Sequence, residues 1–135
     1  MNFLLGLLSF CCGSALATIT NCDTSSVFTI TKLAQDPLTD VIAGQNITLS
    51  LLYVVPEEIT EGTVENKYTY NSIPLTPTTD SLCTVVDCPL TSGEHDGSTS
   101  YPFPGDVKGT LVGQITWRDL QGRTLLCIKS TLKNK

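Results

Sequence analysis

Four cysteines, Cys22, Cys83, Cys88 and Cys127, constrain this chain more than any other feature of its sequence. Two more, Cys11 and Cys12, fall in an N-terminal stretch, MNFLLGLLSFCCGSALA, that has the pattern of an export signal. An apolar run from Phe3 to about Cys12 is followed by small residues and an A-x-A site at Ala15-Leu16-Ala17. The run is too short to span a bilayer, which needs about 20 apolar residues. A lipidated cysteine is disfavoured because Phe10 stands where that signal needs a small residue. The stretch lacks the usual Lys or Arg. Residues 1–17 therefore read as a cleaved signal peptide and residues 18–135 as one small domain.

Removing the signal leaves four cysteines in an oxidising compartment, where two disulfides are expected. Four cysteines allow three connectivities. Cys83 and Cys88 enclose only Thr84, Val85, Val86 and Asp87, which suits a local staple and leaves Cys22 to join Cys127. Closing so long a loop stabilises by about 4–5 kcal/mol in the chain-entropy account. A metal site is the rival reading, but the spacings offer neither paired CxxC units nor a histidine partner.

Hydrophobic alternation supplies the fold class. Over residues 46–54, Ile47, Leu49, Leu51 and Tyr53 share one face, while Asn46, Thr48 and Ser50 share the other. Residues 111–118 set Leu111, Gly113, Ile115 and Trp117 against Val112, Gln114, Thr116 and Arg118. Residues 63–70 set Val64, Tyr68 and Tyr70 against Glu65, Lys67 and Thr69. Residues 27–33 and 125–131 are further strands, and 119–123 reads as a hairpin turn. No segment shows helical periodicity. Six or seven short strands, each with one apolar face, predict an all-β, two-sheet sandwich.

Little in the sequence points to chemistry. The domain carries a net charge of −5 with its basic residues scattered singly, which argues against nucleic acid. The same charge implies that any membrane contact is transient and not drawn by anionic lipid. His95 lies in Ser92-Gly93-Glu94-His95-Asp96-Gly97, read as a solvated turn. The cluster Glu57, Glu58 and Glu61 has no calcium-loop spacing. Nucleophile elbows, phosphate loops and zinc-protease motifs are missing, so an enzyme, a metal or a cofactor is not expected. Asn46-Ile47-Thr48 is an N-glycosylation acceptor pattern on a polar strand face. Two loops join prolines to large apolar groups: Ile73-Pro74-Leu75-Thr76-Pro77 and Tyr101-Pro102-Phe103-Pro104-Gly105. Stiff apolar loops suit the rim of something greasy, although periodicity does not separate a filled core from a hollow one.

Four ordered stretches resemble the ML lipid-recognition family. They are Asp36-Pro37 with the run from Ala43 to Thr48; Ile59-Thr60-Glu61-Gly62; Asp87-Cys88-Pro89-Leu90; and Gly109 through Trp117, closing in Leu125-Leu126-Cys127. Within the family the likeness is greatest to phosphatidylglycerol/phosphatidylinositol transfer proteins, with the Niemann–Pick type C sterol carrier more distant. The resemblance implies an immunoglobulin-like sandwich with an apolar cavity between its sheets. It favours the same two disulfides, and an early-loop disulfide of the sterol carrier has no counterpart here. Carried over by position, Ile73, Leu75, Tyr101 and Phe103 would flank the mouth. Tyr68, Tyr70, Ile115 and Trp117 would line the wall. The implied function is a soluble carrier of a phospholipid or sterol, secreted or held in an endolysosomal or vacuolar lumen. The alternative is an accessory protein that presents lipid to a protein partner. N-terminal sequencing of the exported protein is expected to begin at Thr18, and an uncleaved start would contradict the signal reading.

Overall fold

The computed structural model describes residues 19–38, 41–42, 44–103 and 108–134. The signal peptide expected at residues 1–17 lies outside the described residues, as do Pro104 and Gly105 and the side chain of Tyr101. Nine strands follow one another: β1 (Ile19–Asn21), β2 (Thr29–Asp36), β3 (Asn46–Val55), β4 (Gly62–Tyr70), β5 (Ile73–Pro74), β6 (Thr78–Ser81), β7 (Gly93–Pro102), β8 (Gly109–Asp119) and β9 (Thr124–Asn134). Among the described residues one 3-10 turn, Leu82–Thr84, follows β6. The larger sheet runs β1-β9-β8-β4, with β5 and β6 pairing the two ends of the outer edge of β4. The smaller sheet is β2-β3-β7, and every pairing in both sheets is antiparallel.

The alternation in the sequence sets which face of each central strand turns inward. In β3, Ile47, Leu49, Tyr53 and Val55 are buried, whereas Asn46 and Ser50 are exposed. In β8, Leu111 and Trp117 are buried at the two ends of the inner face. Register then aligns the layers, with Trp117 beside Val64 and Leu126, and Leu111 beside Tyr70 and Leu132. Both expected disulfides are present, Cys22–Cys127 and Cys83–Cys88.

The buried apolar residues form two clusters. One holds Phe28, Tyr53, Val55, Val64, Leu82, Leu90, Trp117 and Leu126. Its centre is aromatic: Phe28 stacks on Tyr53 at 5.7 Å between ring centroids, and the Trp117 ring stands edge-on to both. Such pairs contribute about 0.5–1.5 kcal/mol beyond their buried area. The other cluster gathers Val41, Ile47, Leu49, Phe103, Leu111 and Leu132 at the opposite end of β3 and β8.

The turn between β8 and β9 shows how one side chain fixes register. Gly122 (φ 85°) donates its N–H to the Asp119 carbonyl at 3.0 Å. The Asp119 carboxylate accepts from the Gln121 and Arg123 N–H groups and from Arg123 Nε, at 3.0, 2.9 and 2.6 Å. Burial pushes this carboxyl up, but the Arg123 hydrogen bonds and charge, with the Gln121 N–H, outweigh it and hold the pKa low.

The sequence reading missed some strands. Residues 92–97 were read as a turn, yet Gly93 opens β7, which pairs with β3 over its whole length. Backbone pairing decides that segment, because its side chains carry almost no apolar signal. β1, β5 and β6 were missed because two to four residues are too few to show alternation. Nine strands therefore replace the six or seven expected.

Asp119 supplies a pH-dependent test. A carboxyl whose folded pKa lies below its ordinary value of 3.8 contributes stability above that value and loses it as pH falls through the folded pKa. Asp119→Ala is expected to cost about 1.5–3 kcal/mol at neutral pH, the scale of hydrogen bonds to a charged group. In urea titrations the gap to the parent protein closes as the medium is acidified below the carboxylate range; a gap that persists there would refute the assignment.

Candidate functional site

The two long sides of the sandwich are built differently. On one side the chain crosses between sheets along β9: the Cys22 N–H continues the β1–β9 ladder to the Cys127 carbonyl at 3.0 Å, and the N–H groups of Val27 and Phe28, on the way to β2, donate to the carbonyls of Thr124 and Leu125 at 3.0 and 2.8 Å. Val41 donates to the Lys133 carbonyl at 2.7 Å on the same side. The Cys22–Cys127 disulfide and a buried hydrogen bond from Ser130 Oγ to Gln35 Oε1 lock that seam. On the other side β7 is the edge of the small sheet and β5 and β6 are the edge of the large one. Among the described residues no hydrogen bond joins β7 to β5 or β6, and this side is instead tied at one end, where Ile59 and Leu90, in the segments leading into β4 and β7, exchange hydrogen bonds at 2.9 and 2.7 Å.

Between the two clusters lies a band of inward side chains that are not fully covered. Leu51 of β3, Ile115 of β8 and Tyr68 of β4 occupy inner-face positions yet are only half-buried. A closed core would cover such groups, because protein interiors fill to crystal-like density. Glycines let side chains of the band close onto the strands: Gly97 faces Leu51, and Gly113 lies against the Tyr68 ring, where an added Cβ would come within 3.1 Å of Tyr68 Cε1.

A cleft of about 550 Å³ opens on the β7 side, between that strand and the Cys83–Cys88 loop. Val85, Val86 and Leu90 form one wall, His95, Asp96 and Ser98 the other, and Tyr53 reaches the floor. His95 is part of the strand here, not of a solvated turn. Its ring stacks on Tyr53 at 5.7 Å and its Nε2 donates to the Thr91 carbonyl at 2.7 Å. Burial, then the Asp96 carboxylate, pushes the Tyr53 phenol above its usual pKa.

The residues singled out from sequence fall into distinct places. Tyr68 and Ile115 meet in the half-buried band, and Tyr70 lies half-buried at its end, with its hydroxyl bonded to the Lys108 carbonyl. Ile73 and Leu75 are 62% and 48% exposed beyond Tyr70. Tyr101 pairs with Ile47 in β7, and its side chain is outside the described residues. Phe103 was expected at the mouth, but it is 1% exposed in the second cluster. Hydrogen bonds tying its N–H and carbonyl to Gln45 and Gly44 fold it back into the core. Trp117 belongs to the aromatic plug rather than to an open wall. None of these eight residues lines the 550 Å³ cleft. Sequence reasoning missed that cleft, although Val85 and Val86, an apolar pair inside a four-residue disulfide loop, were its signal. Asn46, the acceptor asparagine, opens β3 and is exposed.

These features define a disulfide-stapled, immunoglobulin-like sandwich with a half-buried band of inward side chains between its two packed clusters. The chain belongs to the ML domain family, whose sequence model matches residues 17–133. It is 32% identical over 113 residues, 80% of this chain and 79% of the relative, to a Dictyostelium discoideum protein named as a candidate phosphatidylglycerol/phosphatidylinositol transfer protein. A second protein of that organism, similarly named, is 26% identical over 117 residues, 83% of this chain and 82% of its own. Among solved structures, a Niemann–Pick type C2 protein from the Japanese carpenter ant superposes with a TM-score of 0.65, at 14% identity, over 87% of this chain and 98% of that one. Chicken MD-1 complexed with lipid IVa gives 0.59 at 13% identity, over 86% and 87% of the two chains. These two likenesses establish the fold.

The different placements of Phe103 and Ile73 are separable by stability. Phe103→Ala is expected to cost about 3–5 kcal/mol, as for other buried aromatics. Ile73→Ser is expected to stay within about 0.5 kcal/mol, as for surface sites. Chemical denaturation of both variants checks this, and equal losses would contradict the placements.

Proposed function

We propose that this protein is exported to the cell exterior or an endolysosomal or vacuolar lumen and there carries a phospholipid or sterol between its sheets, without covalent chemistry. The observation that carries the reading is the half-buried apolar band of Leu51, Tyr68 and Ile115, held between two packed clusters and bordered by the β7 side of the sandwich. Family membership supports it, as do the names of the Dictyostelium relatives and the lipid in the MD-1 complex. Two disulfides suit an oxidising lumen.

Each methylene moved from water into such an interior gains about 0.8 kcal/mol, so sheltering one or two chains offsets much of the cost of leaving a bilayer. Opening along β7 and β4–β6 needs no broken interstrand hydrogen bond between the sheets. Contact with a membrane would then be brief, and the exposed Ile73 and Leu75 supply a small apolar foot for it. A glycan on Asn46 would point away from the interior, since Asn46 lies on the exposed face of β3.

Native mass spectrometry of protein purified from its source is expected to show a bound lipid, and fluorescent phospholipid is expected to move between vesicles faster in its presence. Ile115→Phe fills the band, so it is expected to lower lipid uptake at least tenfold while leaving the urea midpoint close to the parent's. A filled core would instead lose about 1–3 kcal/mol from the added bulk. Uptake without transfer would leave a lipid-presenting role; no uptake at all would overturn the proposal.

A further inference from the structure

The cleft beside the Cys83–Cys88 loop has an electrostatic character of its own. Asp87 and Asp96 line it together with His95, and no Lys or Arg does. Its floor is Tyr53, which is 2% exposed in total. Among the described residues the Tyr53 hydroxyl has no hydrogen-bond partner, although buried polar groups ordinarily find one. Among the described residues no fully enclosed side-chain nitrogen or oxygen is left unsatisfied, so this hydroxyl keeps a small accessible surface, and Tyr53 lines the cleft with Asp96, whose charge acts on its phenol. A nearly buried phenol therefore offers an unused acceptor and donor to whatever occupies the cleft. The opposite wall is apolar, with Val85 55% exposed and Leu90 buried behind it.

The cleft also adjoins the half-buried band. Gly97 lines it, and a Cβ placed on Gly97 would lie 3.4 Å from Leu51 and 3.9 Å from the Tyr53 ring. With only hydrogen there, the inner face of β3 is within reach from the cleft. A molecule with an apolar chain against Leu51 would place its polar end among Tyr53, Asp96 and Asp87.

We propose that this cleft is a headgroup site for an ammonium-bearing amphiphile, with the ammonium near Asp96 and the Tyr53 hydroxyl and the chain passing Gly97 toward Leu51. The proposal rests on the lipid-carrying reading for the course of the chain and on the cleft's own side chains for the charge preference. An anionic headgroup such as glycerol phosphate would face two carboxylates and no fixed cation, an arrangement that disfavours it. The raised pKa of the Tyr53 phenol, from burial and then Asp96, keeps it neutral and able to bond an ammonium. This preference differs from the one that the names of the Dictyostelium relatives carry.

Equilibrium binding of lysophosphatidylethanolamine and lysophosphatidylglycerol of equal chain length, below their micelle concentrations, tests this with the exported protein. The ethanolamine lipid is expected to bind at least tenfold more tightly. Asp96→Asn, at an exposed position, is expected to shrink that ratio severalfold by weakening the ethanolamine lipid and tightening the glycerol lipid, and Tyr53→Phe, which keeps the stacked ring, to shrink it by weakening the ethanolamine lipid. Equal binding, or tighter binding of the glycerol lipid, would overturn the headgroup assignment and leave lipid carriage standing. Binding of neither lipid would overturn carriage itself. Free ethanolamine is the third probe. Affinity equal to that of the lysolipid would show that the cleft takes free amines and would overturn the amphiphile form of the proposal.

Discussion

The hydrogen bonds by which Val27 and Phe28, just before β2, reach the backbone of β9 join the two layers along one side, and the rest of the sandwich is arranged around that seam. They are short-range and directional, and the Cys22–Cys127 bridge keeps their partners together across a sequence separation of 105. Such a bridge acts largely by limiting the unfolded chain. Because the seam fixes one side, the opposite side need not be bonded along its length for the sheets to stay paired. A sandwich tied along both sides would have no route to its interior short of breaking ladder hydrogen bonds.

Packing sealed only at the ends follows from the lengths of β3 and β8. Each places its bulkiest inward groups near its termini: Tyr53 and Trp117 meet at one end, Ile47, Leu49 and Leu111 at the other. Between them stand Leu51 and Ile115, with Gly97 opposite Leu51 on β7 and Gly113 two residues before Ile115 on β8. Gly113 leaves the place of its missing side chain to the Tyr68 ring, and Gly97 lets Leu51 and Tyr53 approach the backbone of β7.

How much of this was legible in the sequence depended on where apolar alternation survived. β3, β4 and β8 could be read closely because each packs one face against the opposite sheet, so selection for burial left a period-two pattern. Cys83 and Cys88 announced their own loop by spacing. The ordered stretches near Asp36, Ile59, Cys88 and Gly109 carried the family. Phe103 was misplaced because a Pro-flanked aromatic looks the same whether it faces a rim or, pinned through Gln45 and Gly44, turns back into the core. The floor of the cleft was invisible for a different reason. Tyr53 reads as one more inward aromatic of β3, and nothing in a linear pattern tells that its hydroxyl would lack a partner.

β7 was the largest omission, and its physics explains both its concealment and its use. As the free edge of the small sheet it presents an unpaired backbone row, a hazard for edge-to-edge association unless the strand is made unattractive. Glu94, Asp96 and its serines do that, at the cost of β propensity. The alternate positions leave the inward side of the strand thin: His95, Gly97 and Thr99 stand opposite Tyr53, Leu51 and Leu49. A strand rich in Val and Ile would have been easy to recognise, but it would have filled the space beside Leu51 and invited a second sheet onto its edge. The composition that protects β7 in solution is therefore also what leaves the interior open beside it.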